Sequence, residues 1–172
     1  MPALRVEAVL FYLTVVRASH YPGISTDQYD LSSTITSVVT LDGTIQTTGT
    51  VAFLVDGDFR GYSSTVNAIP AVFPYGANGY YEFSGQVFGD AADTGKSLSF
   101  VYHPDGSGVE YSCTQTNSAI DTSSLTLNSN YGTLQAPLVL TAADAGSSAS
   151  ASAIWRGAGP SPLISGGTSH GL

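Results

Sequence analysis

The chain of 172 residues is poor in positive charge and has no long apolar stretch. Only 5 residues are Lys or Arg, against 13 that are Asp or Glu, and the formal net charge is −8. Because a phosphate backbone is bound through a cationic protein face, this scarcity excludes nucleic acid as a partner. No apolar run approaches the length of a membrane-spanning helix, about 20 residues, so no membrane span is predicted.

Cysteine is also nearly absent, since Cys113 is the single one in the sequence. This count excludes an intrachain disulfide and a zinc cluster built from cysteines. Cys113 falls in a strand-like pattern, which is typical of a small core hydrophobe. The histidines His20, His103 and His170 are too scattered to indicate a metal set. No phosphate-binding glycine motif or serine-nucleophile motif occurs. The sequence therefore predicts no catalytic residue, no metal site and no cofactor.

Hydrophobic side chains, by contrast, are plentiful. They make up 42% of the residues, and aromatic residues make up 10%, which is enough to build a core. The length fits one domain with short extensions. We expect that domain over residues 21–145, followed over residues 146–172 by a flexible tail rich in Ser, Ala and Gly.

Residues 1–18 have the pattern of a secretory signal peptide. Arg5 gives a positive start, an apolar run covers residues 9–16, and a small residue ends the segment. Glu7 and Arg17 oppose this interpretation, because charges in or beside the run disfavour insertion. A first β-strand or a truncated gene start is the alternative. The signal interpretation predicts a secreted or cell-surface protein.

Apolar and polar residues alternate from Tyr29 onward. On an extended chain this alternation places one set of side chains on a core face and the other on a face towards water. Residues 51–55 are continuously apolar, which is typical of a strand covered on both faces. The Asp56-Gly57 pair that follows indicates a hairpin, since a type I′ turn needs positive φ at both central residues. The pattern predicts an antiparallel β-sandwich of seven to eight strands, with a β-barrel as the alternative.

Several motifs follow one another in a particular order along the body of the chain. They are the strand at 29–39, the apolar strand with its Asp-Gly hairpin and Arg-Gly pair at 51–61, the aromatic strand at 80–89, Leu-Ser-Phe-x-Tyr at 98–102 and Ala-Pro-Leu-x-Leu at 136–140. In this order they resemble a small β-sandwich accessory module of secreted and cell-surface proteins. The resemblance covers roughly residues 27–142. It implies an extracellular accessory or structural module and carries over no catalytic residues.

Two acidic groups suggest chemistry, and each also has a simpler interpretation. Asp56 and Asp58 flank the hairpin turn near Arg60, as a carboxylate pair or a calcium site would. More simply, Asp56 belongs to the turn and Arg60 pairs with one of the two acids. The loop at 89–95 carries two carboxylates three residues apart, which favours either a calcium site or a solvated loop. We favour the simpler interpretation in both cases, because such turns and loops are common.

The tyrosines are the strongest candidates for binding a ligand. Aromatic side chains concentrate between residues 73 and 131, and an aromatic ring offers a sugar face apolar contact at small entropic cost. Alternation assigns Tyr81 to the core and Tyr80 to the opposite face. Tyr75, Tyr80 and Tyr131 are therefore predicted to bind carbohydrate, with core packing as the alternative for the tyrosines as a group.

Together these observations predict a non-enzymatic extracellular module that serves adhesion or structural assembly, with a carbohydrate-binding module as the alternative. Its partner would be a protein surface or a glycan surface. Few lysines guard the predicted sheet edges, so self-assembly by strand addition is a further hypothesis. An enzyme would need distant acids such as Asp58 and Glu110 brought together in one cleft.

Overall fold

The computed structural model describes residue 24 and residues 26–143. The predicted signal peptide (1–18) and the predicted tail (146–172) lie outside these residues. The described part contains nine strands, one helical turn named α1 (Pro74–Ala77), and 3-10 helices at Thr26–Gln28 and Ala91–Asp93. The strands are β1 (Leu31–Leu41), β2 (Thr44–Ile45), β3 (Thr50–Val55), β4 (Asp58–Ala68), β5 (Tyr81–Gly89), β6 (Leu98–His103), β7 (Tyr111–Gln115), β8 (Asn130–Tyr131) and β9 (Leu138–Ala142).

Seven of these strands close into a barrel. The order around it is β1, β5, β4, β3, β6, β7 and β9, after which β9 pairs with β1 again. The short strands β2 and β8 are additions that each pair with β1. The prediction of an all-β fold is confirmed, and the barrel, given as the alternative to a sandwich, is the observed architecture. Each barrel strand consequently has a hydrogen-bonded neighbour on both sides.

The odd number of strands dictates one feature of this barrel. Strands that alternate in direction cannot close a ring of seven without one parallel contact. That contact lies between β1 and β9, which run parallel from the pair Ser37 and Leu138 to the pair Leu41 and Ala142. All other neighbours around the barrel are antiparallel. The first and last barrel strands thus hold the ring together, although the whole domain separates them in sequence.

Two Asp-Gly pairs form the tight turns of the hairpins that follow β1 and β3. Asp56 and Gly57 have φ values of 49° and 87°, and Asp42 and Gly43 have φ values of 49° and 79°. Positive φ at both central residues is the type I′ pattern, so the hairpin prediction for Asp56-Gly57 is confirmed. The strand before it is buried throughout residues 51–55, as its continuous apolar run predicted.

Side chains fill the interior of the barrel. The ring of Phe83 meets that of Tyr102 edge to face, with centroids 6.0 Å apart, and Phe53 meets Phe100 in the same way at 6.2 Å. A barrel of about seven or eight strands is just wide enough to be packed by its own side chains. The fully buried residues at its centre also include Ile35, Val39, Val51, Val87, Leu138 and Leu140. Ligand contacts are therefore to be sought on the outside of the barrel.

The barrel has two ends, each named here after a residue that lies there. At one end, here called the Asp93 end, β1 and β4 begin and β5 finishes in Gly89. At the other, the Tyr75 end, β4 finishes and the segment 69–80 leads back into β5.

Among the described residues, no helix is both long enough and apolar enough to cross a membrane.

Candidate functional site

Two of the three tyrosines predicted to bind carbohydrate lie side by side at the Tyr75 end. The ring centroids of Tyr75 and Tyr80 are 5.5 Å apart, and the ring planes meet at 81°. Both side chains are half-buried. Tyr131 lies elsewhere, because it is only 5% exposed and packs in the core. Its hydroxyl accepts a hydrogen bond from the backbone N–H of Thr126 at 2.6 Å. Tyr131 therefore corresponds to the core alternative and does not contribute to this surface.

The segment that carries the tyrosine pair is anchored at its base. Ile69 is buried, and its backbone N–H donates to the carbonyl of Tyr80 at 3.1 Å, which joins the two ends of the segment. Gly76 sits against the backbone of the same segment, since a Cβ at this position would lie 2.1 Å from the Pro70 carbonyl oxygen. Only glycine allows the chain to fold back so closely.

Hydrogen bonds to a single carbonyl fix the backbone of Tyr75 and Tyr80 relative to each other. The backbone N–H groups of Asn78 and Tyr80 both donate to the Tyr75 carbonyl oxygen, at 3.2 and 3.1 Å. The Asn78 side chain adds a bond from Nδ2 to the Pro74 carbonyl at 2.8 Å. The backbone between the tyrosines is thus a closed turn.

The tyrosine pair lines an open depression of about 450 Å³. The lining residues are Ile45, Pro74, Tyr75, Asn78 and Tyr80. Their side chains offer apolar ring and alkyl surface, together with phenol hydroxyls and an amide that can donate and accept hydrogen bonds. The lining residues include no Asp, Glu, His, Lys or Arg. Such a surface suits an uncharged ligand with both apolar faces and hydroxyl groups.

A second, smaller depression of about 310 Å³ lies on the outer wall of the barrel. Its lining residues are Ile24, Thr26, Gly61, Tyr62, Ser64, Gln86 and Phe88. The Tyr62 ring stacks on Phe59 at 6.4 Å with the planes 7° apart, so one face of that ring is already covered. It offers less aromatic surface to a ligand than the tyrosine pair does.

The opposite end of the barrel carries a cluster of charges around the buried carboxylate of Asp93. Arg60 Nη1 donates to Asp93 Oδ2 at 2.7 Å, and Lys96 Nζ donates to Asp93 Oδ1 at 2.6 Å. The backbone N–H of Asp90 donates to the same carboxylate at 3.1 Å, and Arg60 also lies over the ring of Tyr29. The loop at 89–95 is therefore not simply solvated, because tertiary pairing draws Asp93 into the interior, where it is 1% exposed.

The surroundings of Asp93 favour its charged form. Burial alone raises the pKa of its carboxyl, but the hydrogen bonds from Lys96 and from the backbone of Asp90, with the charge of Arg60, outweigh burial and hold the pKa below its ordinary value. The Lys96 pKa is raised in turn, chiefly by its hydrogen bond to Asp93. The hydrogen bonds to the Asp93 carboxylate all come from groups of the protein itself, so the cluster is a structural element of the barrel end.

The remaining acids and the thiol fit their simpler interpretations. Asp56 Oδ1 accepts hydrogen bonds from the backbone and hydroxyl of Ser97 at 2.9 and 3.0 Å, so this acid belongs to the turn. Asp58 begins β4 at the Asp93 end and Glu110 precedes β7 at the Tyr75 end, so the structure does not bring these two acids together in one cleft. Cys113 is partly buried against the core, and burial raises the pKa of its thiol to about 12, which disfavours the reactive thiolate. Over the described residues, no group of three His, Cys, Asp or Glu side chains could hold a metal ion.

Comparison of the chain with protein-family models, curated proteins and solved structures found no match. The resemblance to an accessory module of secreted proteins therefore stays a prediction.

The sequence pattern indicated Tyr75 and Tyr80 as candidates but not the residues around them. Ile45 lies in a different hairpin, far from the tyrosines in sequence. Asn78 is one of several turn-forming residues in its loop, so its composition does not distinguish it. The expected pairing of Arg60 with an acid of its own hairpin is present, since Arg60 lies 3.9 Å from Asp58, but the sequence pattern does not indicate its closer pair with Asp93 at 2.7 Å. The ion pair of Asp93 with Lys96 could have been predicted, because the two residues lie only three apart in the sequence.

Proposed function

We propose that this protein is a non-enzymatic carbohydrate-binding module and that its binding surface is the depression around Tyr75 and Tyr80. The observation that carries the proposal is the contact of these two half-buried rings beside the amide of Asn78. Aromatic rings contribute apolar contact to a sugar face, and neighbouring hydroxyl and amide groups can bond its hydroxyls. Binding of a glycan surface would serve adhesion, the role predicted from the sequence.

Barrel closure is the reason to prefer ligand binding over assembly by strand addition. Strand addition needs an exposed row of unpaired backbone groups at a sheet edge. The seven barrel strands, as described, all pair on both sides. Among the described strands, only the short β2 and β8 pair with a single neighbour, so they offer little edge to which a strand could be added.

A binding experiment on the full chain tests this proposal. The protein is titrated against a panel of soluble and insoluble polysaccharides, next to the double variant Tyr75→Ala/Tyr80→Ala. We expect the parent to bind at least one polysaccharide and the double variant to lose at least about tenfold in affinity, since each ring contributes on the order of 1 kcal/mol. Circular dichroism checks that the double variant keeps its β-sheet spectrum.

The matched control is Tyr62→Ala, which removes another half-buried tyrosine from the outside of the barrel at the second depression. It should bind as the parent does. A panel with no binding above background, or a double variant that binds as tightly as the parent, would overturn the proposal. Loss of binding in Tyr62→Ala alone would move the site to the outer wall and would equally overturn it.

We also propose that the protein acts outside the cell, as a secreted or cell-surface protein. The support is the signal-like pattern of residues 1–18, with its positive start and apolar run. Mass spectrometry of the mature N-terminus after expression in the native host tests this. A chain that retains residues 1–18 after expression would contradict it.

A further inference from the structure

The angle between the two tyrosine rings narrows the class of carbohydrate that the proposed site can take. A flat, crystalline polysaccharide face is met by rings that lie in one plane, because each ring must present its face to the same surface. The planes of Tyr75 and Tyr80 instead meet at 81°, with centroids 5.5 Å apart. The two rings thus form a corner, so they cannot both present their faces to one flat surface. We infer that the site binds an individual, uncharged glycan chain and not a crystalline polysaccharide surface; this inference rests on the proposed function.

The backbone that carries the corner is held in place by its own contacts. Two hydrogen bonds converge on the Tyr75 carbonyl, and Gly76 lies against the Pro70 carbonyl with no room for a Cβ. Turning the rings into one plane by moving their backbones would break this turn. A site held in its binding geometry before the ligand arrives loses less conformational entropy on binding.

The size of the depression agrees with a short stretch of one chain. Its volume, about 450 Å³, falls within the range of small-molecule sites, about 300–1,000 Å³. Ile45 comes from β2 and not from the tyrosine segment, so two separate parts of the chain form its walls. A surface for a crystal face would have to extend beyond such a depression.

Charge narrows the ligand further. The basic residues between 26 and 143 are Arg60 and Lys96, and both bind Asp93 at the far end of the barrel. The lining residues of the depression carry no charge, and the formal net charge of the chain is −8. Sulfated glycans and polyuronates would meet repulsion without a compensating cation, so neutral chains are favoured.

Three groups of probes test this inference on the full chain. The first consists of neutral hexasaccharides of glucose, xylose, mannose and N-acetylglucosamine, measured by isothermal titration calorimetry. The second consists of microcrystalline cellulose and crystalline chitin, measured by depletion of protein from solution. The third consists of heparin and polygalacturonate, measured by calorimetry at low and at physiological salt.

We expect at least one neutral hexasaccharide to bind with a stoichiometry near one. Tyr75→Ala and Tyr80→Ala should each weaken it several-fold, whereas Tyr62→Ala should not. The crystalline solids should deplete no protein, and the anionic polymers should bind at least tenfold more weakly than the best neutral chain.

The outcomes separate this inference from the proposal on which it rests. Depletion by a crystalline solid without binding of any hexasaccharide would overturn the inference and leave carbohydrate binding standing. Tighter binding of an anionic polymer than of every neutral chain would do the same. No binding in any of the three groups would overturn the proposed function, and this inference with it.

Discussion

Arg60 and Asp93 form an ion pair inside one end of the barrel, although 33 residues separate them in sequence. Nη1 and Oδ2 are 2.7 Å apart, and the two side chains are 13% and 2% exposed. Lys96 contacts the other carboxylate oxygen at 2.6 Å. One acid thus holds the start of β4 to the loop that follows β5. Gly89 makes room for it, since a Cβ there would lie 3.0 Å from Asp93 Oδ2.

Asp93→Asn should destabilise the fold strongly. The amide has no charge to compensate Arg60, which stays mostly buried. Breaking a buried ion pair by removing one partner typically costs about 3–5 kcal/mol. We expect the free energy of unfolding, measured by urea denaturation, to fall by about 3 kcal/mol or more.

The control is Asp58→Asn, because Asp58 lies 3.9 Å from Arg60 with its side chain 79% exposed. That exposed pair should contribute less than about 1 kcal/mol. Equal losses in the two variants would contradict the importance of the buried pair.

The stabilisation by Asp93 should disappear in acid. The folded-state pKa of this carboxyl lies below its ordinary value of 3.8, so the unfolded chain takes up its proton first as the pH falls. The contribution is therefore fully present above pH 3.8 and is lost as the pH falls through the lower folded-state pKa. Urea denaturation of the parent and of Asp93→Asn should show a constant difference from about pH 7 to about pH 5 and a smaller one towards about pH 2. A difference that stays the same over the whole range would show that the charge of Asp93 is not what stabilises the fold.

Gly61→Ala should disrupt the contact between β4 and β5. A Cβ at Gly61 would lie 2.0 Å from the backbone oxygen of Gln86, and a backbone atom cannot move aside as a flexible side chain can. We expect a loss of about 3 kcal/mol or more in the free energy of unfolding. Gly108→Ala is the matched control, because nothing lies within 4 Å of its added Cβ, and its effect should stay within about 0.5 kcal/mol. Thermal unfolding followed by circular dichroism checks both, and a Gly61→Ala variant as stable as the parent would argue against so close an approach.

The local elements of the fold could be predicted because their causes lie within a few residues. The continuous apolar run at 51–55 gave a fully buried strand, and Asp56-Gly57 gave a turn with positive φ at both residues. The outward position of Tyr80 and the inward position of Tyr81 also follow from simple alternation. Alternation could not assign Tyr131, because this residue belongs to a two-residue strand whose burial depends on distant neighbours.

The amino-acid sequence by itself determined that the chain is all-β and where the Asp56-Gly57 hairpin turn lies. The tertiary structure alone decided that the strands close into a barrel, since closure depends on β1 pairing with β9 across about 100 residues. It also decided which aromatic rings meet at the surface and which acid is buried with Arg60. The physical reason is that strand periodicity fixes which face of a strand is apolar, whereas the identity of its neighbour depends on contacts that no local pattern encodes.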